Sequence, residues 1–372
     1  MNERRIVALL GRQDTPTDAV EEYCRYLGAA LHEHGIEMDI TRVPWAERGW
    51  STALHELHYK ASSWRGRWVL LQYTALAWSA RGFPLKFLQV VSAMRRAEAQ
   101  VGVVYHDVEP FGGERVVDRV RRRLQLHTMR RAMLSSDVAI FTVPTEKLSW
   151  TTGQDSNCVF IPVGANLPVL AESSKNASDS RKGTPTVAVF GITGGEAGAQ
   201  EISRIAYAVR LASRHVANFR LCVLGRNSST AEKELRRVLS GVAVDLQVPG
   251  LLPANEVARV LSASDVLFFV RGPISSRRGS AIAGIACGLP IIAFPGPETA
   301  SPVTEAGVVL VPPTDAELGE ALVRVLTDQT YRLSLAEQSR VAYEKHFAWE
   351  AIANRYFKCL SNSSVSADWQ PR

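Results

Sequence analysis

The sequence predicts an α/β protein built from two doubly wound parallel sheets, and three observations lead there. Short apolar runs alternate with helical periods through both halves of the 372-residue chain, the pattern of repeated strand–helix–strand units. Composition breaks once, at 170–186, where LAESSKNASDSRKGTPT carries almost no large apolar side chain and reads as a linker. The length is long for one core and comfortable for two.

Taken in order, IVALLG (6–11) is a first strand, and the polar QDTPTD leads into an amphipathic helix, AVEEYCRYLGAALHEHG, closed by Gly35. EMDITRV, WVLLQYT (68–74), VGVVYHD (101–107), DVAIFTV (137–143) and NCVFIPVG (157–164) complete the first set of strands. After the linker, TVAVFGITGG opens a second series: a helix at 197–215, FRLCVLG (219–225), a helix at 231–239, VDLQVPG, a helix at 255–263, DVLFFV, a basic loop, a helix through AIAGIACG, PIIAF and GVVLVP. The region 316–360 is helical in period, and SNSSVSADWQPR (361–372) reads as a flexible tail. The expected division is a first Rossmann-like domain at 1–169, the linker at 170–186 and a second such domain at 187–345. Ligands of such sheets bind at strand carboxyl ends, so a cleft between two facing domains is the expected site.

Bulk properties narrow the classes. Hydrophobic content of 46% and charged content of 22% describe an ordinary globule. Cys24, Cys158, Cys222, Cys287 and Cys359 are scattered singly, which argues against a disulfide framework or a metal site and for a reducing cytoplasm. The start is too short for a signal peptide, and no stretch approaches the roughly 18 apolar residues that span a bilayer. A cytoplasmic protein is expected, free or peripheral on the inner face of the membrane. The net charge of +6 is concentrated, with ten Lys/Arg against five Asp/Glu between residues 86 and 131. Attraction of the basic 115–131 segment to an anionic membrane surface or a phosphorylated acceptor stands beside a plainer reading. In that reading Val117, Val120 and Leu124 are buried at helical spacing and the arginines face water. Nucleic acid ranks last, because no aromatic residues interleave the charges.

The residues that carry chemistry gather in 271–294, RGPISSRRGSAIAGIACGLPIIAF. Ser275, Ser276, Arg277, Arg278, Gly279 and Ser280 offer hydroxyls, two guanidiniums and unpaired N–H groups at a helix start, which suits an anion. The alternative is a solvated surface turn. Gly191, Gly194 and Gly195 follow a strand and precede a helix, where a pyrophosphate could approach the backbone, or where a tight turn simply needs glycine. Arg226, after LCVLG, reaches toward the same place or lies on the surface. His106 and Asp107 end a strand, and Asp14, Thr15 and Thr17 occupy the first loop, where Asp and Thr also serve as helix caps. A classical dehydrogenase is disfavoured, since no G-x-G-x-x-G follows the first strand.

The order VFGITGG, a strand ending LG, SDVLFFV, a Gly/Ser loop, ACGLPIIAF and GVVLVPPTDAELGEALVRVL resembles the donor domain of family-4 glycosyltransferases with the GT-B architecture. YEKHFAWEAIANRYFKCL is similar to that family's last helix, so 346–360 is expected to cross back to the first domain. The resemblance implies transfer of a sugar from a nucleotide diphosphate sugar to a glycan, lipid-linked or small-molecule acceptor, usually with retention. It implies no obligatory metal and no cofactor beyond the nucleotide sugar as co-substrate. It places His106 beside the transferred sugar, Asp14, Thr15, Thr17 and Asp107 on the acceptor side, and Glu305 near the nucleotide ribose.

The departures are informative. The family's E-x7-E glutamates fall here on Ser275 and Ala283, and GITGGEAGAQE lacks the Arg and Lys that many members carry. The phosphate-neutralising charge is accordingly expected on Arg277 and Arg278, stabilising the leaving diphosphate. A non-catalytic nucleotide-binding or scaffold protein and a GT-B nucleotide-sugar epimerase are the alternatives.

Overall fold

The computed structural model describes residues 4–15, 17–151, 156–168 and 183–362. Residues 170–182 of the expected linker and 363–372 of the expected tail lie outside the described residues. The chain divides into two compact units, Met1–Pro162 with Trp349–Arg372, and Val163–Ala348.

The first unit contains β1 (Arg4–Leu10), β2 (Ile36–Arg42), β3 (Trp68–Tyr73), β4 (Gln100–Tyr105), β5 (Val138–Phe141) and β6 (Cys158–Phe160). They form one parallel sheet in the order β2-β1-β3-β4-β5-β6. Its helices are α1 (Ala19–His32), α2 (Trp45–Arg48), α3 (Trp50–Ala61), α4 (Phe87–Arg96) and α5 (Val116–Leu134). All six residues of β3 are buried, as a parallel strand covered on both faces requires. Gly102 lets β4 lie close to β3, since a methyl group there would sit 2.6 Å from Leu70 Cδ2.

The second unit contains β7 (Thr186–Phe190), β8 (Phe219–Leu224), β9 (Val244–Gly250), β10 (Val266–Phe268), β11 (Ile291–Ala293) and β12 (Val308–Leu310), ordered β12-β11-β10-β7-β8-β9 and again parallel. Its helices are α6 (Gly195–Ala212), α7 (Ser228–Val238), α8 (Ala254–Ser262), α9 (Gly279–Ala286), α10 (Asp315–Thr327) and α11 (Gln329–Ala342). The small residues of α9 let it press on the sheet: a methyl group at Gly284 would lie 2.5 Å from Leu267 Cδ2 of β10. The last helix, α12 (Trp349–Asn362), belongs to the first unit and packs on α1, where the hydroxyls of Tyr23 and Tyr356 share a buried hydrogen bond of 2.9 Å.

In each sheet the strand order reverses once, between β1 and β3 and between β7 and β10. Those switch points leave the crevices where open α/β sheets take ligands.

The basic helix differs from expectation. The buried face of α5 is Gln125, Thr128, Met129, Ala132 and Met133, one to three turns beyond the anticipated stripe. Val117 and Val120 are exposed, and so is Val116. Gln125 can be buried because its amide is satisfied, donating to Gly82 O at 2.8 Å and accepting from Phe111 N–H at 2.8 Å. All five cysteines are free thiols.

Candidate functional site

In the second unit, β7 ends at Phe190 and the chain turns through Gly191, with φ +85°, into Gly194 and Gly195, the residues that open α6. Gly191 is the position where the absence of a side chain counts: a methyl group there would lie 2.6 Å from Nη1 of Arg271. The turn is held by main-chain bonds, Gly191 N–H to Leu224 O at 2.7 Å and Ile192 N–H to Arg226 O at 3.0 Å. Asn227 Nδ2 donates to Ile192 O at 2.9 Å. Arg226 is thus tied to the glycine turn through its backbone, and its charge acts on Arg271.

Across the switch point, the chain leaves β10 through Arg271 and runs to α9. Ser275 and Ser276 are buried, so their hydroxyls are not presented to solvent. Ser275 Oγ instead donates to Glu298 Oε2 at 3.1 Å. The two adjacent arginines, expected to act alike, are used differently. The fork of Arg277 is closed on Glu298, with Nε to Oε2 at 2.7 Å and Nη2 to Oε1 at 2.8 Å. Burial pushes the Glu298 carboxyl up, but hydrogen bonds and charge from Arg277 outweigh it and hold the group below its ordinary range. Arg278 is the residue before α9, with Gly279 and Ser280 in the first turn, and its guanidinium makes no hydrogen bond or ion pair among the described residues. Among the described residues three buried side-chain polar atoms lack a partner: Arg278 Nε, Arg271 Nε and Tyr73 Oη. Two of the three flank this one switch point.

The Glu305 carboxylate accepts from Ser301 and faces His346 at 2.9 Å and Lys345 at 3.3 Å, and the hydrogen bonds from Ser301, His346 and Lys345 lower its pKa to about 2. The carboxylate that stands against Ser275 is Glu298, which the sequence reading did not single out.

In the first unit, a cavity of about 270 Å³ opens at the carboxyl ends of β1 and β3, lined by residues including Gly11, Arg12, Asp14, Asp18, Gln72 and Asp107. Gly11 is needed where the loop presses on its neighbour, since a methyl group there would fall 2.2 Å from Ala77 O. Asp14 and Asp107 line this cavity; Thr15 and Thr17 do not. Nor do they cap α1. The cap is Asp18, whose Oδ1 accepts from Val20 and Glu21 N–H at 3.1 Å each, while Oδ2 takes Arg42 Nη2 at 2.7 Å. Burial raises the Asp18 pKa, but the Glu21 N–H and Arg42 prevail and lower it. Asp107 Oδ2 accepts from Ala75 N–H at 2.8 Å.

His106 sits beside this cavity, outside its lining. Its Nε2 lies 2.8 Å from Gln72 Oε1, and its ring meets Tyr23 edge-on at 5.0 Å. Because Gln72 Nε2 donates to Leu70 O, the Oε1 atom accepts, and the His106 proton is assigned to Nε2. Burial pushes the His106 pKa down to about 4 against a weak upward pull from Asp18, so the ring is neutral near pH 7 with Nδ1 as its acceptor. Among the described residues no group of three His, Cys, Asp or Glu is placed to hold a metal ion.

Comparison with known proteins agrees with this layout. Residues 187–328 match the family described as Glycosyl transferases group 1. A Corynebacterium glutamicum protein, GDP-mannose-dependent monoacylated alpha-(1-6)-phosphatidylinositol monomannoside mannosyltransferase, is 28% identical over 161 residues, covering 41% of this chain and 41% of that protein's length. The chain thus spans well under half of that curated relative. Among solved structures, a glycosyltransferase from Rickettsia africae is similar with a TM-score of 0.68 at 12% identity, covering 99% of this chain and 100% of the other. HepE of Anabaena, in complex with UDP and glucose, gives 0.63 at 14% identity over 96% and 100%. The matched segment contains the glycine turn, Arg226, Arg271 and the α9 loop, and the whole chain takes the two-unit α/β fold of its neighbours. Residues 187–328 are thus similar to the glycosyl transferases group 1, and the chain as a whole takes the GT-B fold of these solved neighbours.

Proposed function

We propose that the protein transfers a hexosyl group from a nucleoside diphosphate sugar to an acceptor, with retention and without a required metal ion. One observation carries this reading: Arg278, whose guanidinium has no hydrogen bond or ion pair among the described residues, immediately precedes α9 at the switch point of the matched domain. Fixed donors aimed at a departing diphosphate can offset its charge in place of a cation. The nucleotide sugar is then a co-substrate, and no further cofactor is invoked. In the first unit, the cavity with Asp14 and Asp107 suits hydroxyl groups of a glycan or lipid-linked acceptor, and neutral His106 suits a sugar hydroxyl. The name of the Corynebacterium relative, whose acceptor is a phosphatidylinositol mannoside, favours a lipid-linked acceptor.

The test is ligand-induced stabilisation followed by turnover. UDP or GDP at a hundred times its Kd is expected to stabilise the fold by about 2.7 kcal/mol, seen as a rise in melting temperature. Donor should then be consumed only with acceptor present. Consumption without acceptor would indicate an epimerase, and binding without turnover a scaffold. Product anomeric configuration reads retention, and turnover in chelator reads metal independence.

Peripheral membrane attachment forms part of this proposal. No helix among the described residues is long and apolar enough to cross a membrane. Val116, Val117 and Val120 are 68%, 47% and 46% exposed and lie among exposed Arg115, Arg119, Arg122 and Arg123. The loop carrying exposed Leu85 is fastened to the same helix by Arg121 Nε to Arg81 O at 3.1 Å and by Gln125 to Gly82 O. Apolar side chains rimmed by arginine match an anionic bilayer surface. The variant Val117→Asp/Val120→Asp is expected to keep its melting temperature and to lose sedimentation with phosphatidylglycerol vesicles. Undiminished sedimentation would remove this surface from the proposal.

A further inference from the structure

Arg271 shares with Arg278 a buried Nε without a partner among the described residues, yet the sequence reading did not single it out. It lies three residues after β10, and its Nη1 stands over Gly191. No hydrogen bond or ion pair engages its guanidinium among the described residues. Glu201, whose charge reaches it, already accepts from Thr193 N–H at 2.8 Å. Arg278 comes close to the residue after Arg271, its Nη2 3.7 Å from where a methyl group on Gly272 would be. Burial lowers the pKa of both arginines; Glu201 pulls that of Arg271 up and Arg226 pulls it down, while Arg277 and Arg271 lower that of Arg278 against Glu298. Burial of a cation and repulsion between neighbouring cations both disfavour the charged form, and an anion with several oxygens relieves both.

We infer that Arg271 is a binding residue for the donor diphosphate, forming with Arg278 a two-fork clamp over Gly191, while Arg277 is held out of the site by Glu298. Each fork can give parallel N–H bonds to phosphate oxygens, and Gly191, lacking a side chain, makes room for the Arg271 fork. The inference rests on the proposed function and assigns the phosphate contact to a residue outside the Ser275–Ser280 loop.

The experiment measures Kd for UDP, GDP and the matching monophosphates in the full-length protein and in Arg271→Gln, with melting temperatures of each without ligand. Arg271→Gln is expected to weaken diphosphate binding at least tenfold, to shrink the preference for diphosphate over monophosphate, and to leave the unliganded melting temperature unchanged or higher. Arg271→Lys keeps the charge and the stem but not the fork, and should fall between the two. Diphosphate affinity within twofold of the parent in both variants would overturn the inference while leaving the proposed function standing. A fall in melting temperature with diphosphate preference intact would show a purely structural arginine and overturn it too. If the parent protein binds no nucleoside diphosphate, the proposed function itself fails, and the clamp with it.

Discussion

Arg278→Ala is expected to lower turnover by about 10²- to 10³-fold, the usual cost of removing one fixed donor from developing negative charge, without lowering the melting temperature. The second half of that expectation is unusual for a partly buried residue, and it follows from the surroundings. Among the described residues the Arg278 guanidinium has no hydrogen bond to lose; its charge is opposed by Arg277 and Arg271 and favoured by Glu298. Its removal relieves that repulsion, and Glu298 keeps its hydrogen bonds from Arg277 and Ser275. Steady-state kinetics and a thermal melt on the same preparation check both parts. Parental turnover would dismiss Arg278 from the reaction.

Arg277→Ala should behave in the opposite way. The Arg277 and Glu298 side chains are only 22% and 15% exposed, and truncating the arginine strands Glu298 beside buried Ser275. Breaking such a pair from one side costs about 3–5 kcal/mol, on the order of 10 °C in melting temperature for a unit of this size. Removing both partners together, as Arg277→Leu/Glu298→Leu, should recover much of the loss. The pH dependence has a definite sign. Glu298 has a lowered pKa in the folded protein, so the pair's contribution is complete above about pH 4.5, its ordinary value, and is lost as pH falls through the folded value. The gap in melting temperature between parent and Arg277→Ala should therefore be full at pH 7 and close in acid. A gap independent of pH would mean that the ion pair is not its source.

The strands were legible because parallel strands are buried on both faces and read as continuous apolar runs: RRIVALL, WVLLQY and TVAVF show themselves without any partner. Helices with a sparse buried stripe were not. In α3 only Ala53, Leu57 and Ala61 are buried, a single residue per turn and two of the three alanine, and the segment went unassigned. In α5 two of the five buried residues are the polar Gln125 and Thr128, which drew attention to the valines that turned out to be exposed. Within the site, the glycine turn and the α9 loop stood out by composition. The separate uses of Arg277 and Arg278 could not, because only the fold brings Glu298 across from the segment after β11. Arg271 did have a signal: like Arg226 it lies within three residues of the end of a strand, and the same reasoning applied to β10 would have found it.

The first unit is assembled from both ends of the chain, since α12 joins it after the whole second unit has been traversed. On the ribosome the ordering of the two is therefore inverted. The later-encoded, uninterrupted unit can finish folding while the unit begun at the N-terminus still lacks the helix that covers α1. Tyr23 and Trp68 wait for Tyr356 and Leu360, their hydrogen-bond partners in α12. A nascent chain stopped before α12 is therefore expected to hold a native second unit beside an incomplete first one.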